Sequence, residues 1–107
     1  MLNTSHEFTK LSNKEFIVLE MLANNPEMFG LEMVEASKGQ LKRGTIYVTL
    51  MRMAEKGYVE SHEENRPVPE IGIPRRMYRA TGLGQTIYLT NLKATKIFSD
   101  LILGGIS

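Results

Sequence analysis

The chain has 107 residues, of which 42% are hydrophobic, and a formal net charge of +1. This length suits one compact domain, and the absence of cysteine excludes disulfides and thiolate metal sites. No apolar run approaches the roughly 20 residues of a membrane span, and the first ten residues lack a secretory-signal pattern, so we expect a cytoplasmic protein. We expect neither a cofactor nor a metal ion.

The first helix is predicted over about 13–24. Ser12 followed by Glu15 matches a capping box, in which each side chain satisfies a backbone N–H at the start of a helix. The following residues are apolar on a wide face, and Pro26 cannot continue the helix. Residues 1–10 precede this element as an N-terminal segment that we expect to be flexible.

A second, shorter helix is predicted over about 29–38. Leu31 and Val34 are expected to face inward, with the intervening glutamates facing outward. Gly39 stands where a helix end needs the left-handed backbone conformation. A tight connection then leads to the next element, so that the two helices form a helix-turn-helix arrangement.

The third helix is predicted over about 44–56, in the stretch GTIYVTLMRMAEKGYVE, and Gly57 ends it. Ile46, Leu50 and Met53 are spaced like a buried helical face. This face leaves Thr45, Tyr47, Val48 and Arg52 pointing outward. The basic pair Lys42 and Arg43 and the glycine Gly44 come directly before them.

Two strands follow the third helix. Residues 58–66 alternate between two faces, and residues 75–80 alternate again. Three prolines and a glycine break the chain over 67–74, which predicts a loop between the strands. Two strands and a loop placed after the third helix form a wing.

The last helix is predicted over about 82–103, with Thr81 as its cap. Leu83 opens one apolar stripe, and Leu92, Ile102 and Tyr88 form a second. A helix that is apolar on two sides needs a partner beyond its own small domain, so we expect it to hold a homodimer together. The expected dimerisation residues are Ile87, Ala94, Phe98, Leu101 and Ile102.

Charge is unevenly distributed along the chain. Residues 38–56 hold five basic residues and one acidic residue, and Arg75, Arg76 and Arg79 follow with no acid among them. Two basic patches on a nearly neutral chain suggest one positive face for DNA. The simpler alternative for these patches is solvated charges scattered on the surface. For the third helix, the alternative is that Tyr47 packs inside and that Val48 is exposed only incidentally.

Enzymatic functions are poorly supported. His6 and His62 have no second histidine at a ligand-like spacing, and the glutamates of 60–64 are typical of a solvated strand edge. The glycines of 82–86 follow a short strand without the surrounding strand–helix–strand unit of a dinucleotide site. We therefore expect no catalytic residues.

Three stretches in register resemble the PadR family of transcriptional regulators. They are LSNKEFIVLEMLANNPEMFGLEM (11–33), GTIYVTLMRMAEKGYVE (44–60) and PRRMYRAT with the following glycine (74–82). The resemblance implies a winged helix-turn-helix dimer whose last helix makes most of the dimer interface. It also implies a transcriptional repressor that a small molecule or stress signal releases. Carried over by position, Thr45 and Tyr47 lie on the recognition helix, Gly44 at its start, and Arg75 and Arg76 in the wing.

The sequence departs from the family pattern at several positions. Lys42 and Arg43 replace the usual Ser-Pro before the glycine, which weakens capping but adds charge, and Val48 replaces a proline. The wing is acidic, which disfavours deep insertion into a groove. Some relatives stack planar drugs between tryptophans; this chain has none, and Tyr88 or Phe98 would be the aromatic substitutes.

The expected fold is therefore mainly α with a small β-wing: a winged helix-turn-helix domain over 11–81 and a dimerisation helix over 82–103. The expected function is DNA binding as a homodimeric repressor on a pseudo-palindromic operator, with a small molecule as inducer. The alternative is a winged-helix protein–protein interaction module that does not bind DNA, which the acidic wing and the exposed Val48 and Met51 would suit.

Overall fold

The structure is a computed structural model that describes residues 10–64 and 74–104, and the side chains of residues 98–100 and 102–104 lie outside this description. Four helices and three strands make up the fold. In chain order they are α1 (Asn13–Asn24), β1 (Met28–Phe29), α2 (Gly30–Ala36), α3 (Ile46–Glu55), β2 (Val59–Glu63), β3 (Arg76–Ala80) and α4 (Gly82–Gly104). This arrangement confirms the predicted winged helix-turn-helix with an added C-terminal helix.

The first helix begins at the predicted capping box. The Ser12 side chain accepts a hydrogen bond from the Glu15 N–H at 3.2 Å, and Glu15 Oε1 accepts one from the Ser12 N–H at 3.0 Å. Two backbone donors that a helix start leaves unsatisfied are thereby paired. The helix buries Val18, Leu19 and Leu22, so both its bounds and its apolar face confirm the prediction.

The second helix is shorter than predicted and presents a different face. Met33 is fully buried, whereas Leu31 is 37% exposed and Val34 is half-buried. The prediction that Leu31 faces inward was therefore wrong. The helix begins only at Gly30, because Met28–Phe29 pairs as a strand. Gly39 has the expected left-handed backbone, with a φ of 95°.

The three strands form an antiparallel sheet in the order β1-β3-β2. The predicted pair is present, with Val59 opposite Ala80 and Glu63 opposite Arg76. The short strand β1, which was not predicted, adds Met28 opposite Tyr78 on the other edge of β3. The predicted loop over 67–74 lies outside the described residues except for its last position.

One apolar core holds these elements together. Ile46, Leu50 and Met53 of α3 are almost fully buried, as predicted, and pack with Leu19 and Met33 from the two preceding helices. Burying side chains of this size stabilises each by about 1.5–3 kcal/mol relative to exposure. The inward face of α3 is thus fixed by the core, and its opposite face is left at the surface.

The last helix begins at its predicted cap. Thr81 Oγ1 accepts a hydrogen bond from the Gly84 N–H at 2.9 Å and donates one to the Gly57 carbonyl at 2.5 Å. A Cβ added to Gly84 would lie only 2.1 Å from the Tyr58 carbonyl oxygen, so the helix meets the end of α3 at backbone distance. The orientation of α4 is therefore set directly against the segment that ends α3.

The residues predicted for dimerisation divide into groups. Ile87 is only 6% exposed in the core of its own chain, because this part of the helix packs on α1, so it has no surface to offer a partner. Its burial disfavours a dimer contact at this position. Ala94 is half-buried and Leu101 is 73% exposed. Phe98 and Ile102 have side chains outside the described part of the structure.

Candidate nucleic-acid interface

The exposed face of α3 carries the predicted side chains. Tyr47 is 50% exposed and Val48 45% exposed, and Arg52 lies at the surface one turn further on. The inward positions of the same helix are occupied by core residues, so these three side chains lie at the surface of the described part of the structure. The first turn of the helix contains no acidic residue, and its positive dipole end is therefore not neutralised locally.

The amino end of α3 projects from the surface. Lys42, Arg43, Gly44 and Thr45 are all exposed. The Lys42 carbonyl accepts hydrogen bonds from the Thr45 N–H at 3.2 Å and the Ile46 N–H at 3.0 Å. A tight turn thus precedes the helix and holds two cations at its start. Because these two backbone N–H groups are satisfied within the chain, they are not available to bind an external anion.

Gly44 is not required by the fold itself. A Cβ added there would meet nothing within 4 Å, and its backbone is not in the left-handed region. The chain could carry a larger residue at this position without strain. Open space above the backbone is what close approach by a partner molecule requires.

Tyr47 is held in place as well as exposed. A Cβ added to Gly30 would lie 2.8 Å from Cε1 of the Tyr47 ring, so the ring rests on the start of α2. Burial raises the pKa of the neighbouring Tyr78 above its usual value; the charge of Arg76 opposes that rise and the Tyr47 hydroxyl adds to it. The alternative of an inward-packed Tyr47 is thus half correct, because one part of the ring packs and the other is free.

The two wing arginines are both exposed. Strand alternation does not turn one of them inward, because β3 begins at Arg76 and Arg75 lies before the paired residues. The Arg75 guanidinium lies 4.6 Å from the centre of the Phe29 ring, a cation–π distance. Arg76 donates to the Ser61 hydroxyl at 3.1 Å.

The fold brings the two basic patches to a shared neighbour. Arg43, before α3, lines a surface hollow together with Phe29, and Arg75 stacks on that same ring. The wing and the amino end of α3 therefore lie on neighbouring parts of one surface. Arg79 is different, because it pairs with Glu60 at 2.6 Å on the outer face of the sheet, and such an exposed pair leaves little net charge.

Lys14 joins this surface without having been predicted. Its Nζ donates to the Thr45 hydroxyl at 3.1 Å, which brings the first turn of α1 to the amino end of α3. The two residues are 31 positions apart, and no local pattern links them. The capping box at Ser12 located the start of α1, but only tertiary packing shows what that start adjoins.

Other kinds of site find little support in the described residues. No group of three histidine or carboxylate side chains could hold a metal ion there. His62 lies 3.4 Å from Glu27 at the surface, an arrangement with no enclosed pocket around it. Within the same residues, no helix has the length and apolar character needed to cross a membrane.

Comparison with known proteins identifies a matching family and similar structures. The model of the transcriptional regulator PadR-like family matches residues 18–89, whereas no curated protein matches the chain. The structure is similar to that of a PadR family transcription regulator from Clostridium difficile R20291, with a TM-score of 0.74 and 19% identity over 90% of this chain and 100% of that one.

Two further solved structures have the same fold. The regulator TA0346 from Thermoplasma acidophilum matches with a TM-score of 0.67 and 26% identity over 83% of this chain and 85% of that one. PcaV from Streptomyces coelicolor, solved with its natural ligand, matches with a TM-score of 0.72 and 18% identity over 92% of this chain and 65% of that one. The family match covers well over half of the residues, and the chain belongs to the PadR-like family of transcriptional regulators, a membership that implies DNA-binding regulation.

Proposed function

We propose that the protein is a homodimeric transcriptional repressor that inserts α3 of each protomer into the major groove of an operator. The observation that carries this proposal is the exposed face of α3, with Lys42 and Arg43 at its amino end and no acidic residue in its first turn. A helix of this kind fits the major groove, where its first residues meet base edges.

The side chains divide into contacts that position and contacts that specify. Lys42, Arg43 and Arg52 carry the charge expected of phosphate contacts. Thr45 offers a hydroxyl that can reach a base edge or a phosphate, and Val48 offers an apolar surface suited to a thymine methyl group. The remaining proposed DNA contacts are Gly44, Tyr47, Arg75 and Arg76.

In this proposal the two parts of the chain have different roles. Residues 11–81 form the DNA-binding domain, and α4 supplies the dimer contact. Its exposed apolar residues Leu89, Ile97 and Leu101 support this role, because single helices with such a surface are usually covered. Pairing of two α4 helices would place two copies of α3 about one helical turn of DNA apart, roughly 34–36 Å, as a pseudo-palindromic operator requires. The protein would act where the DNA lies, in the cytoplasm.

A small apolar inducer fits the same architecture. A hollow of about 260 Å³ opens between α1 and α4, lined in part by Leu19, Leu22 and Leu89. Tyr88 also lines it, but its ring stacks on Phe16 with centroids 5.2 Å apart. A ligand there would act on the contact between α1 and α4. Planar aromatic compounds should release bound DNA from the wild type and not from Leu22→Trp, which fills the hollow.

The alternative function, a protein-interaction module, is favoured by one observation. Met51 is 56% exposed beside Val48 on the outward face of α3, and an apolar surface suits a protein partner as well as DNA. Binding of mixed genomic fragments at low salt discriminates the two. Absence of DNA binding, with one protein retained in stoichiometric amount, would favour the module.

Selection of operator sequences tests the proposed function. Fragmented genomic DNA retained by the protein is sequenced, and a promoter reporter is then assayed with the protein present and absent. We expect inverted half-sites with centres about 10–10.5 base pairs apart, or multiples of that distance, and lower reporter output with the protein. Enrichment of no sequence over the input, or unchanged reporter output, would contradict the proposal.

A further inference from the structure

A groove with two cations lies beside the predicted interface, between the first turn of α1 and the exposed face of α3. It has a volume of about 240 Å³, several times the ~30 Å³ that one water molecule takes up in the liquid. Its lining residues are Ser12, Lys14, Glu15, Thr45, Val48, Thr49 and Arg52. Three of these carry hydroxyl groups and two carry a positive charge.

The position of Lys14 is unusual for a helix. It is the second residue of α1, where the helix dipole is positive and disfavours a cation. A residue that conflicts with its local environment in this way commonly serves a function. The contact with Thr45 at 3.1 Å uses only one of the three donors of the ammonium group. Two donors remain for a ligand in the groove.

Thr45 is oriented by the same contact. Its hydroxyl oxygen accepts from Lys14, so its own O–H is directed away from that ammonium group. The groove therefore offers a hydroxyl donor next to a lysine, and Arg52 of α3 adds a second positive charge to its lining. This combination of donors matches a phosphate group, whose oxygens accept from several directions.

The carboxylate in the groove does not oppose this assignment. Glu15 is almost fully buried, and its two oxygens accept from the Ser12 N–H and from Lys56 Nζ. Its charge is thus paired with Lys56 at 2.6 Å. The two remaining cations that line the groove, Lys14 and Arg52, leave it with a net positive charge.

We propose that this groove binds one phosphate of the DNA backbone, with Lys14 as its principal ligand and Thr45 as a second donor. The inference rests on the proposed function and adds to it a contact outside the helix-turn-helix and the wing. It places the backbone strand that flanks α3 against the start of α1. The position of α3 in the major groove of the DNA would then be fixed by Lys14 on the α1 side as well as by Arg43.

The salt dependence of DNA binding by Lys14→Gln tests the proposal. The affinity for the selected operator duplex and for an unrelated duplex is measured by fluorescence anisotropy over a range of salt concentrations. Because a dimer would lose one phosphate contact in each protomer, at about 0.9 each, the logarithmic salt slope should fall by about 1.8. Relative to the wild type, the variant's affinity should therefore fall about 60-fold more at 0.1 M salt than at 1 M salt, equally for both duplexes. Lys14→Arg, which keeps the charge, should restore the slope.

A matched control is Lys38→Gln, an exposed lysine that follows α2 and lines a separate surface hollow with Ile17 and Glu20. It should leave the slope unchanged. Lys14→Met, which keeps the apolar stem, serves if the glutamine variant is unstable. An unchanged slope in a folded Lys14 variant, or a change of base preference without a change of slope, would overturn the inference.

Three further outcomes separate the possible failures. If the wild type binds no DNA, the proposed function fails and takes the inference with it. If the wild type binds and Arg43→Ala lowers the slope while Lys14→Gln does not, only the groove assignment fails. In a third outcome, inorganic phosphate raises the melting temperature of the wild type more than chloride does at equal ionic strength, and it has no such effect on Lys14→Gln. If the two proteins also bind DNA with equal salt slopes, the groove binds a free anion and the DNA contact is overturned.

Discussion

The backbone N–H of Leu11 donates to Oδ1 of Asn91 at 3.0 Å, which joins two positions 80 residues apart. Both residues are buried. The amide nitrogen of Asn91 in turn donates to the Ile87 carbonyl at 2.9 Å, one turn earlier in α4. A polar side chain inside the core thus fastens the segment before α1 to the middle of the last helix, and with it the DNA-binding domain to the proposed dimer contact.

Asn91→Ala should therefore be markedly destabilising. It leaves the buried Leu11 N–H without its acceptor, which costs about 1–3 kcal/mol of unfolding free energy. Urea denaturation at a fixed protein concentration measures this, since a dimer's stability depends on concentration. Thr95→Ala, a truncation at an exposed position of the same helix, is the control and should change the free energy of unfolding by less than about 0.5 kcal/mol. Equal losses in the two variants would show that the hydrogen bond contributes nothing.

Two glycines at the start of α4 should respond oppositely to alanine. A Cβ at Gly84 would lie 2.1 Å from the Tyr58 carbonyl oxygen, whereas a Cβ at Gly82 would meet nothing within 4 Å. Backbone atoms must move to admit Gly84→Ala, with an expected loss of about 1–3 kcal/mol or more. Gly82→Ala should be neutral or stabilising by up to about 1 kcal/mol, because alanine favours the helix. Thermal unfolding of both variants checks this, and a tolerated Gly84→Ala would contradict the close approach.

The Glu15–Lys56 pair predicts a specific loss of stability in acid. Burial raises the pKa of Glu15, but the hydrogen bond from Lys56 and those at Ser12 outweigh it, so the pKa lies below the ordinary value of 4.5. A lowered folded pKa means that this stabilisation is complete above about pH 4.5 and is lost as the pH falls through the folded pKa.

Glu15→Gln tests this dependence, because glutamine keeps the acceptor for the Ser12 N–H but has no titrating group. The difference in unfolding free energy between the wild type and the variant should be constant near neutral pH. It should shrink as the pH falls below 4.5. Denaturant titrations at several pH values measure it, and a difference that stays constant down to pH 2 would contradict the assignment.

The exposed end of α4 predicts an interface. Leu101→Asp would place an unpaired charge in an apolar contact, where desolvation is costly. We expect a dimer in the wild type and a monomer in the variant by light scattering. Leu31→Asp is the control, since it makes the same change at an exposed position of α2 and should leave the dimer intact. A Leu101→Asp variant that remains dimeric would place the interface elsewhere.

The sequence predicted most of the fold because its signals are local. The capping box at Ser12, the spacing of Ile46, Leu50 and Met53, and the Thr81 cap each depend on residues within one or two helical turns, and each was confirmed. The strand Met28–Phe29 was missed because two residues are too few to show a period. Leu31 was expected inward because a helix of two turns offers too few apolar residues to define one face, and only packing shows that Met33 is the buried one.

The candidate site was less predictable, because its geometry depends on contacts between distant segments. The exposure of Tyr47 and Val48 follows from helical periodicity. The support of Tyr47 by Gly30 and the approach of Lys14 to Thr45 arise only when separate helices pack. Ile87 shows the converse limit, because an apolar stripe does not reveal whether it faces the core or a partner.

The central claim is that the cationic amino end of α3 binds DNA, and the salt dependence of operator binding tests it most directly. Anisotropy titrations compare the wild type with Lys42→Ala/Arg43→Ala. Binding should weaken steeply as salt rises, and the double variant should lose about 3.6 units of logarithmic slope, because a dimer would forfeit two contacts in each protomer at about 0.9 each. Binding that salt does not weaken, or a slope that the double variant leaves unchanged, would contradict the claim.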